Sequence, residues 1–446
     1  MNARLPASVV ILLVTLIAVY VAIGSLYAVL TPSWQVPDEP AHYNYIRSLA
    51  KGRGFPVLEP GDYDQAYLER LTSERFPAEL SVKPLQYEDH QPPLYYVLAT
   101  PIYLLFDGAL LPLRLLSVLL GAGLLIVTFG TVSTIFPERP ALGLMAAAFV
   151  AFIPQHVAVT AGVNNDALAE LTVGGTLWAL MVYLDQPQSP PWPIGLLVGT
   201  ALLTKTTAYV VVPVALGAVI MRWRREGRTL AWALKQLAWI AIPALLLFAP
   251  WFVRNGLTYG WGDPLGLAQH KAIVEGQPRS AEWLAAYGWR GLLTRMARTT
   301  FHSFWGKFGW MAVPLPRRAY QVLLLFCALL AAGFVVWVIR RTRHRSIALP
   351  AGQAARSVLL SRCLLLALSA ALTFSAFLWY NLTFVQHQGR YLFPALIPLA
   401  TAAALGLETP TDVVPRRLRQ ATLIALFAGL AAFDVYCLFR IIQPNL

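Results

Sequence analysis

Long apolar runs separated by short polar breaks dominate the chain. The first covers about residues 7–30. Others recur at about 93–106, 111–136, 140–162, 165–184, 192–204, 207–221, 232–252, 319–339, 357–380, 391–407 and 420–440. A helix needs about 20 apolar residues to cross a bilayer core of roughly 30 Å, and most of these runs approach that length. Residues 93–106 (PLYYVLATPIYLLF) reach about half of it and are predicted to form an interfacial helix. The run at 192–204 is also short and ends at Lys205. We read 192–221 as two shortened spans meeting at Lys205 in protein-lined space, the setting in which polar backbone is tolerated at membrane depth. A single kinked helix is the alternative and would invert every later loop. The expected fold is an all-α polytopic membrane protein with about eleven transmembrane helices.

Composition agrees. The 446 residues are 57% apolar and 13% charged, with a mean hydropathy of +0.57, whereas an ordinary soluble domain is about 25% charged. A soluble enzyme, a disordered chain and a disulfide scaffold are excluded. Cys327, Cys363 and Cys437 sit inside apolar runs, at spacings that suit neither a disulfide nor a metal. The first run is too long for a cleaved signal peptide, and no small-x-small site ends it.

Net charge is +13. In a membrane protein, basic residues mark cytoplasmic loops. The breaks near 137–140, 185–191, 222–231, 340–356 and 408–419 hold clusters of arginines, including Arg222, Arg224, Arg225, Arg228, Arg340, Arg341, Arg343, Arg345, Arg356, Arg416, Arg417 and Arg419. The short loops on the other side hold only Arg390. This predicts an internal N-terminus, an external C-terminus and two large external loops at 31–110 and 253–318. All of 1–446 reads as one integrated membrane domain.

The uncommon polar residues at span ends then fall on the predicted outer side. They come from at least six segments: Asp38, Glu39 and His42; Glu88, Asp89 and His90; Asn164, Asn165 and Asp166; Lys205; Arg254 and Asn255; His387, Gln388, Arg390 and Tyr391. Ionisable groups near hydrocarbon are expensive and usually face a cavity or a partner. In Val36-Pro37-Asp38-Glu39-Pro40-Ala41-His42, flanking prolines point the two carboxylates different ways. One can act on a substrate while the other binds a metal or a basic side chain. Partial desolvation raises a carboxylate's proton affinity, which suits a general base. The plainer reading is an acidic helix N-terminus after Pro37, and the two are compatible. In Tyr87-Glu88-Asp89-His90-Gln91-Pro92-Pro93-Leu94-Tyr95-Tyr96, Pro-Pro opens a helix whose positive end suits an anionic headgroup. A plain amphipathic anchor is the alternative. Lys205 and Arg390 could snorkel, or could together grip a phosphate.

Taken in order, these motifs resemble the GT-C superfamily of membrane glycosyltransferases, among them relatives of protein O-mannosyltransferases and lipid A aminoarabinose transferases. The resemblance rests on the Asp-Glu pair after the first span and on His90-x-Pro92-Pro93-Leu94-Tyr95-Tyr96. It also rests on Asn165-Asp166, Leu203-Thr204-Lys205, Ala249-Pro250-Trp251-Phe252-Val253-Arg254-Asn255, Gly262-Asp263-Pro264 and Gly389-Arg390-Tyr391-Leu392-Phe393-Pro394. It spans about residues 7–400. It implies an inverting transferase of the plasma membrane, with its site facing outside. Such an enzyme moves a hexosyl or pentosyl group from a polyprenyl-phosphate carrier to a protein, lipid or glycan acceptor. Asp38 would be the base, with Glu39 supporting it or binding a metal. His42, Asp89, His90, Asp166, Lys205, Arg254, Arg390 and Tyr391 would bind donor and lipid phosphate. Some members use a divalent cation; Asp38, Glu39 and Asp166 could hold Mg or Mn.

Two departures shift the expectation. Only Gln443–Leu446 follow the last run, so acceptor recognition should use 31–92 and 253–318. Gln91 stands where a Lys often lies in the family, which moves the phosphate contact toward Lys205. A transporter or flippase of a lipid-linked sugar is the alternative function, and a non-catalytic assembly subunit is the third. A transporter should carry charged or broken segments toward its cytoplasmic half, and few are present beyond Glu170, Lys235 and Asp434. Nothing in the sequence points to nucleic acid.

Overall fold

The computed structural model describes residues 5–186, 188–343, 353–411 and 415–446. Parts of three predicted cytoplasmic connections, including Arg345, therefore lie outside the described residues. Among the described residues, nine helices are long and apolar enough to cross a membrane, or ten if one bent pair counts as a single span. They are α1 (Ala7–Leu30), α5 (Leu110–Ile135), α8 (Asp166–Asp185), α10 (Val211–Glu226) with its preceding 3₁₀ turn Thr206–Val210, and α11 (Leu230–Tyr259). The series continues with α14 (Arg317–Arg343), α15 (Gln353–Tyr380), α16 (Leu396–Thr411) with its 3₁₀ turn Gly389–Ala395, and α17 (Arg416–Tyr436). The bent pair is α6 (Pro140–Ala151) and α7 (Pro154–Thr160), angled by 68°. The short apolar helix α9 (Trp192–Leu202) adds to these, so the number of passes agrees roughly with the sequence reading.

The 192–221 region is two arms, not one kinked helix. At one end of the bundle, the Asn165 amide just before α8 donates to Thr204 O at 3.3 Å, where α9 has just ended. At the other end, Arg222 and Arg225 of α10 donate to Tyr183 O and Leu184 O. Both arms therefore run alongside α8 and meet at Lys205. These arginines also supply donors to the open carbonyls that end α8, where the helix dipole is negative. Arg362 adds a third, to Met181 O at 3.1 Å. The basic clusters thus have a local structural role at the end of α8.

Small residues let helices touch. A Cβ on Gly333 would lie 2.0 Å from Gly406 O, so α14 and α16 cross backbone to backbone.

The end of the bundle opposite the arginines carries both large loops, which pack on each other. The first contains α2 (Glu39–Ala50), α3 (Gln65–Ser73) and α4 (Leu94–Leu105). The second contains α12 (Leu267–Ile273), α13 (Ser280–Trp305) and a two-residue hairpin pairing Lys307–Phe308 with Val313–Pro314. Helix α4 lies against α2 and the start of α5, consistent with an interfacial helix.

A buried ion pair fixes this end. Glu39 is fully buried and its two oxygens accept from Arg114 of α5 at 2.8 and 2.6 Å. They also accept from the backbone N–H of Trp34 and of Val163. Arg114 donates further to Ala28 O, Thr31 O and Pro32 O. Every strong donor and acceptor of the pair is used, the condition under which a buried ion pair is tolerated. It ties the exits of α1 and α7 and the start of α2 to α5. Replacing Arg114 by Met strands a buried carboxylate, so Arg114→Met should cost about 3–5 kcal/mol, seen as a lower unfolding midpoint in detergent. Arg114→Met with Glu39→Gln should recover part of the loss, and an unchanged midpoint in the single variant would refute the brace.

Candidate functional site

Asp38 stands directly before α2 and adopts a left-handed backbone, φ 67°. That conformation is uncommon outside glycine and asparagine and often marks a functional position. It turns Asp38 away from its neighbour: Glu39 faces inward to Arg114, while Asp38 accepts from Tyr87 Oη at 2.9 Å and from Arg390 at 2.5 Å. Burial pushes the Asp38 carboxyl up, but Arg390, His42 and Tyr87 outweigh it and lower its pKa to about 2. The sequence expectation of a raised proton affinity at Asp38 is thus corrected. Desolvation acts as foreseen, and a guanidinium from 352 residues away overrides it.

Arg390 is placed by Gly389. The Gly389 N–H donates to Ser303 Oγ at 2.8 Å, and a Cβ there would meet Phe304 N at 2.3 Å. Only glycine lets this turn press against α13. The Arg390 guanidinium lies over the Tyr391 ring at 5.5 Å, and that ring packs on Tyr380.

Lys205 sits where α9 breaks. The freed carbonyls find donors: Leu203 O accepts from Leu94 N at 2.8 Å, and Thr204 O from Asn165. This joins the Pro-Pro motif and the Asn-Asp motif to the break. Lys205 Nζ donates to Asp166 Oδ1 at 2.6 Å. His42 Nδ1 pairs with Tyr96 Oη at 2.9 Å, and Tyr96 stacks on Tyr45. Burial, reinforced by Lys205, lowers the His42 pKa to about 3, while Asp38, Asp166 and Arg390 also act on it. Asp38, His42, Asp166, Lys205 and Arg390 therefore form one electrostatic cluster drawn from four segments. Side-chain exposures of 20% for Asp38, 21% for Asp166 and 13% for Lys205 leave it open to a ligand.

Glu88 belongs to this cluster too. Burial and the Asp38 charge raise its pKa from 4.5 to about 7, with Lys205 and Arg390 opposing, and its Oε2 has no partner. Alongside it Asp89 is lifted to about 9 by burial, Asp62 and Glu88. His90 lies with its ring 4.6 Å from His270; burial holds His90 well below its ordinary value and His270 at about 4. Both are neutral at pH 7.

Other expected residues lie elsewhere. Arg254 donates to Phe55 O, Pro56 O and Asn255 Oδ1 and covers Trp251, so it clasps the first loop to α11. Glu39 has both oxygens occupied, and Asp38 and Asp166 are each paired with a cation. Among the described residues no group of three or more His, Cys, Asp or Glu converges on a metal position. The residues present do not fit a divalent cation, and no step below uses one. Sequence reasoning did not single out Arg114, Tyr87 or His270. A lone arginine in LLPLRLL was the available signal for the first, Tyr87 stood at the edge of the Glu88-Asp89-His90 motif, and nothing marked His270.

Residues 90–253 match the family model of dolichyl-phosphate-mannose-protein mannosyltransferases. ArnT from Cupriavidus metallidurans, solved with undecaprenyl phosphate, superposes over 97% of this chain and 65% of its own, with a TM-score of 0.52 and 16% identity. The oligosaccharyltransferase of Archaeoglobus fulgidus in its apo form covers 96% and 55%, with 0.54 and 12%. Tethered to an acceptor peptide it gives 0.53 and 13%. The chain has the GT-C membrane fold. It spans under two thirds of ArnT and about half of the oligosaccharyltransferase. No curated protein matches it in sequence. In this GT-C fold the matched 90–253 region carries Lys205, Asp166 and the α4 motif, while Asp38 and Arg390 lie outside it.

The raised carboxyls set a pH dependence. Glu88 and Asp89 hold protons more tightly folded than unfolded. The stability they give is complete below about pH 4, and it is lost as pH rises through about 7 for Glu88 and about 9 for Asp89. The melting temperature in detergent should fall between about pH 5 and 9, and Glu88→Gln with Asp89→Asn should flatten that fall. An equal slope in the double variant would contradict the assignment.

Proposed function

We propose that the protein is an inverting glycosyltransferase that moves a sugar from a polyprenyl-phosphate carrier to an acceptor hydroxyl. We place the reaction on the outer face of the plasma membrane, opposite the arginine-rich ends. The observation that carries this reading is the pairing of two carboxylates with two cations, Asp38 with Arg390 and Asp166 with Lys205, at one end of the bundle. The bound carrier phosphate of ArnT supports a lipid-phosphate donor.

The arrangement suits the chemistry. The acceptor oxygen attacks the anomeric carbon as the bond to the phosphate oxygen breaks. The hydroxyl proton goes to a base, and the electron pair leaves with the carrier phosphate. Positive charge on that phosphate lowers the barrier. In the free protein Arg390 is bound to Asp38. An incoming phosphate competes for the guanidinium and frees Asp38, whose proton affinity rises toward that of an unpaired, buried carboxylate. The base thus becomes effective when the donor is seated. Glu88, poised near neutrality, can take the proton onward.

Purified protein incubated with polyprenyl-phosphate sugars should release free carrier phosphate. Asp38→Asn should lower that release about 10²- to 10⁴-fold and leave carrier binding within a few-fold. Arg390→Gln and Lys205→Met should each weaken carrier binding by about ten- to a hundredfold, the range of a charged hydrogen bond. Retained release in Asp38→Asn would refute Asp38 as the base, and carrier binding with no release by the unaltered protein would favour a transporter.

A further inference from the structure

We infer that a cavity behind the Asp38 turn is a binding site for a polyhydroxylated, glycan-type acceptor. The cavity has a volume of about 710 Å³, within the roughly 300–1,000 Å³ of small-molecule sites. Its walls are the end of α3 (Thr72, Ser73, Arg75), the hairpin segment from Gly309 to Pro316, and the C-terminal turn with Asn445. None of Lys205, Asp166 or Arg390 lines it. It is distinct from the phosphate cluster.

Three observations point to a ligand. Gln35 lines the cavity with 3% exposure, and its Nε2 has no hydrogen-bond partner. A buried amide donor left open costs free energy unless something accepts from it. A narrow crevice shares Gln35, Gly309 and Leu446 with the cavity and continues to Val36 and Pro37, the residues before Asp38. The crevice thus links the cavity to the two residues that precede the proposed base. Finally, Trp34, Asp38, Arg75, Phe76, Trp310 and Met311 all have positive φ, and among the described residues Asp107 is the remaining non-glycine residue that does. Such strain gathers on the turns that wall this space and is retained where a site needs it.

The lining identifies the class. The Thr72 and Ser73 hydroxyls donate to their own helix and keep acceptor lone pairs for a ligand. The Gln35 and Asn445 amides and the Arg75 guanidinium provide donors, and no carboxylate side chain lines the space. The Trp310 indole is pinned by its N–H bond to Trp34 O, and it presents an aromatic wall beside Val313 and Leu315. A sugar offers hydroxyl donors and acceptors at its rim and C–H bonds on its faces, which this mixture matches. The acceptor role rests on Asp38 being the transferase base; binding itself does not.

The test uses the full chain in nanodiscs, with maltotriose, chitotriose and a serine-containing hexapeptide as probes in saturation-transfer NMR. At least one trisaccharide should bind. Ser73→Trp, which fills the cavity from an exposed position, should weaken it at least tenfold, and Gln35→Leu should weaken it less. Undecaprenyl phosphate binding should stay within twofold in Ser73→Trp. The inference is overturned if neither sugar binds, if binding ignores Ser73→Trp, or if the peptide alone gives the Ser73→Trp-sensitive signal. Sugar binding sensitive to Ser73→Trp, with carrier binding insensitive to Lys205→Met, would sink the transferase reading and leave this site standing.

Discussion

A carboxylate and a guanidinium buried together between α1, α2, α5 and α7 set the geometry of everything at the functional end. Glu39 and Arg114 satisfy each other and five backbone groups. Because that pair is locked, the residue before it has little freedom. The left-handed turn at Asp38 sends its side chain opposite to Glu39, toward the segment from Gly389. The Asp-Glu dipeptide is thus a division of labour. One acid holds the frame, and its neighbour is presented to solvent and to a cation.

The second constraint is charge balance at a partly dry site. Asp38 and Asp166 each have their own cation, Glu88 is raised toward neutrality, and the nearby His42, His90 and His270 are held neutral by burial. The resting site therefore carries little net charge, and its ion pairs are the groups that a phosphate ester would rearrange. Both cations stand at breaks in helices. Lys205 follows the end of α9, and Arg390 lies in a 3₁₀ turn before α16. Broken helices at membrane depth free backbone groups that must find partners, and here those partners are the motifs that build the site. Leu94 N caps Leu203 O, and the Asn165 side chain caps Thr204 O.

Much of this was legible in the sequence. Apolar run lengths gave the passes. The charge of Lys205 inside a short apolar run revealed the break, since an unbroken span would bury it. The clustering of Asp38, Asp166, Lys205 and Arg390 at span ends on one predicted side pointed to one site. Other features were not legible, because they depend on which side chains meet across the fold. Glu39 read as a support for the base or as a partner for a metal or a basic side chain, and Arg114, 75 residues on, decides for the last by taking both of its oxygens. Arg254 read as a phosphate grip, yet carbonyls of the first loop occupy it. The direction of Asp38's shift needed Arg390, and Glu88 gained its place only through Asp38 as a neighbour. Local pattern locates polar residues at an interface; pairing decides what each one does.

The central claim is that a lipid phosphate displaces these ion pairs. A structure of the protein with polyprenyl phosphate bound tests it most directly. The account predicts phosphate oxygens within hydrogen-bond distance of both Lys205 and Arg390, with the Arg390 bond to Asp38 lengthened or lost. A phosphate seated at the arginine-rich end, or one bound while the Asp38–Arg390 and Asp166–Lys205 pairs stay intact, would contradict it.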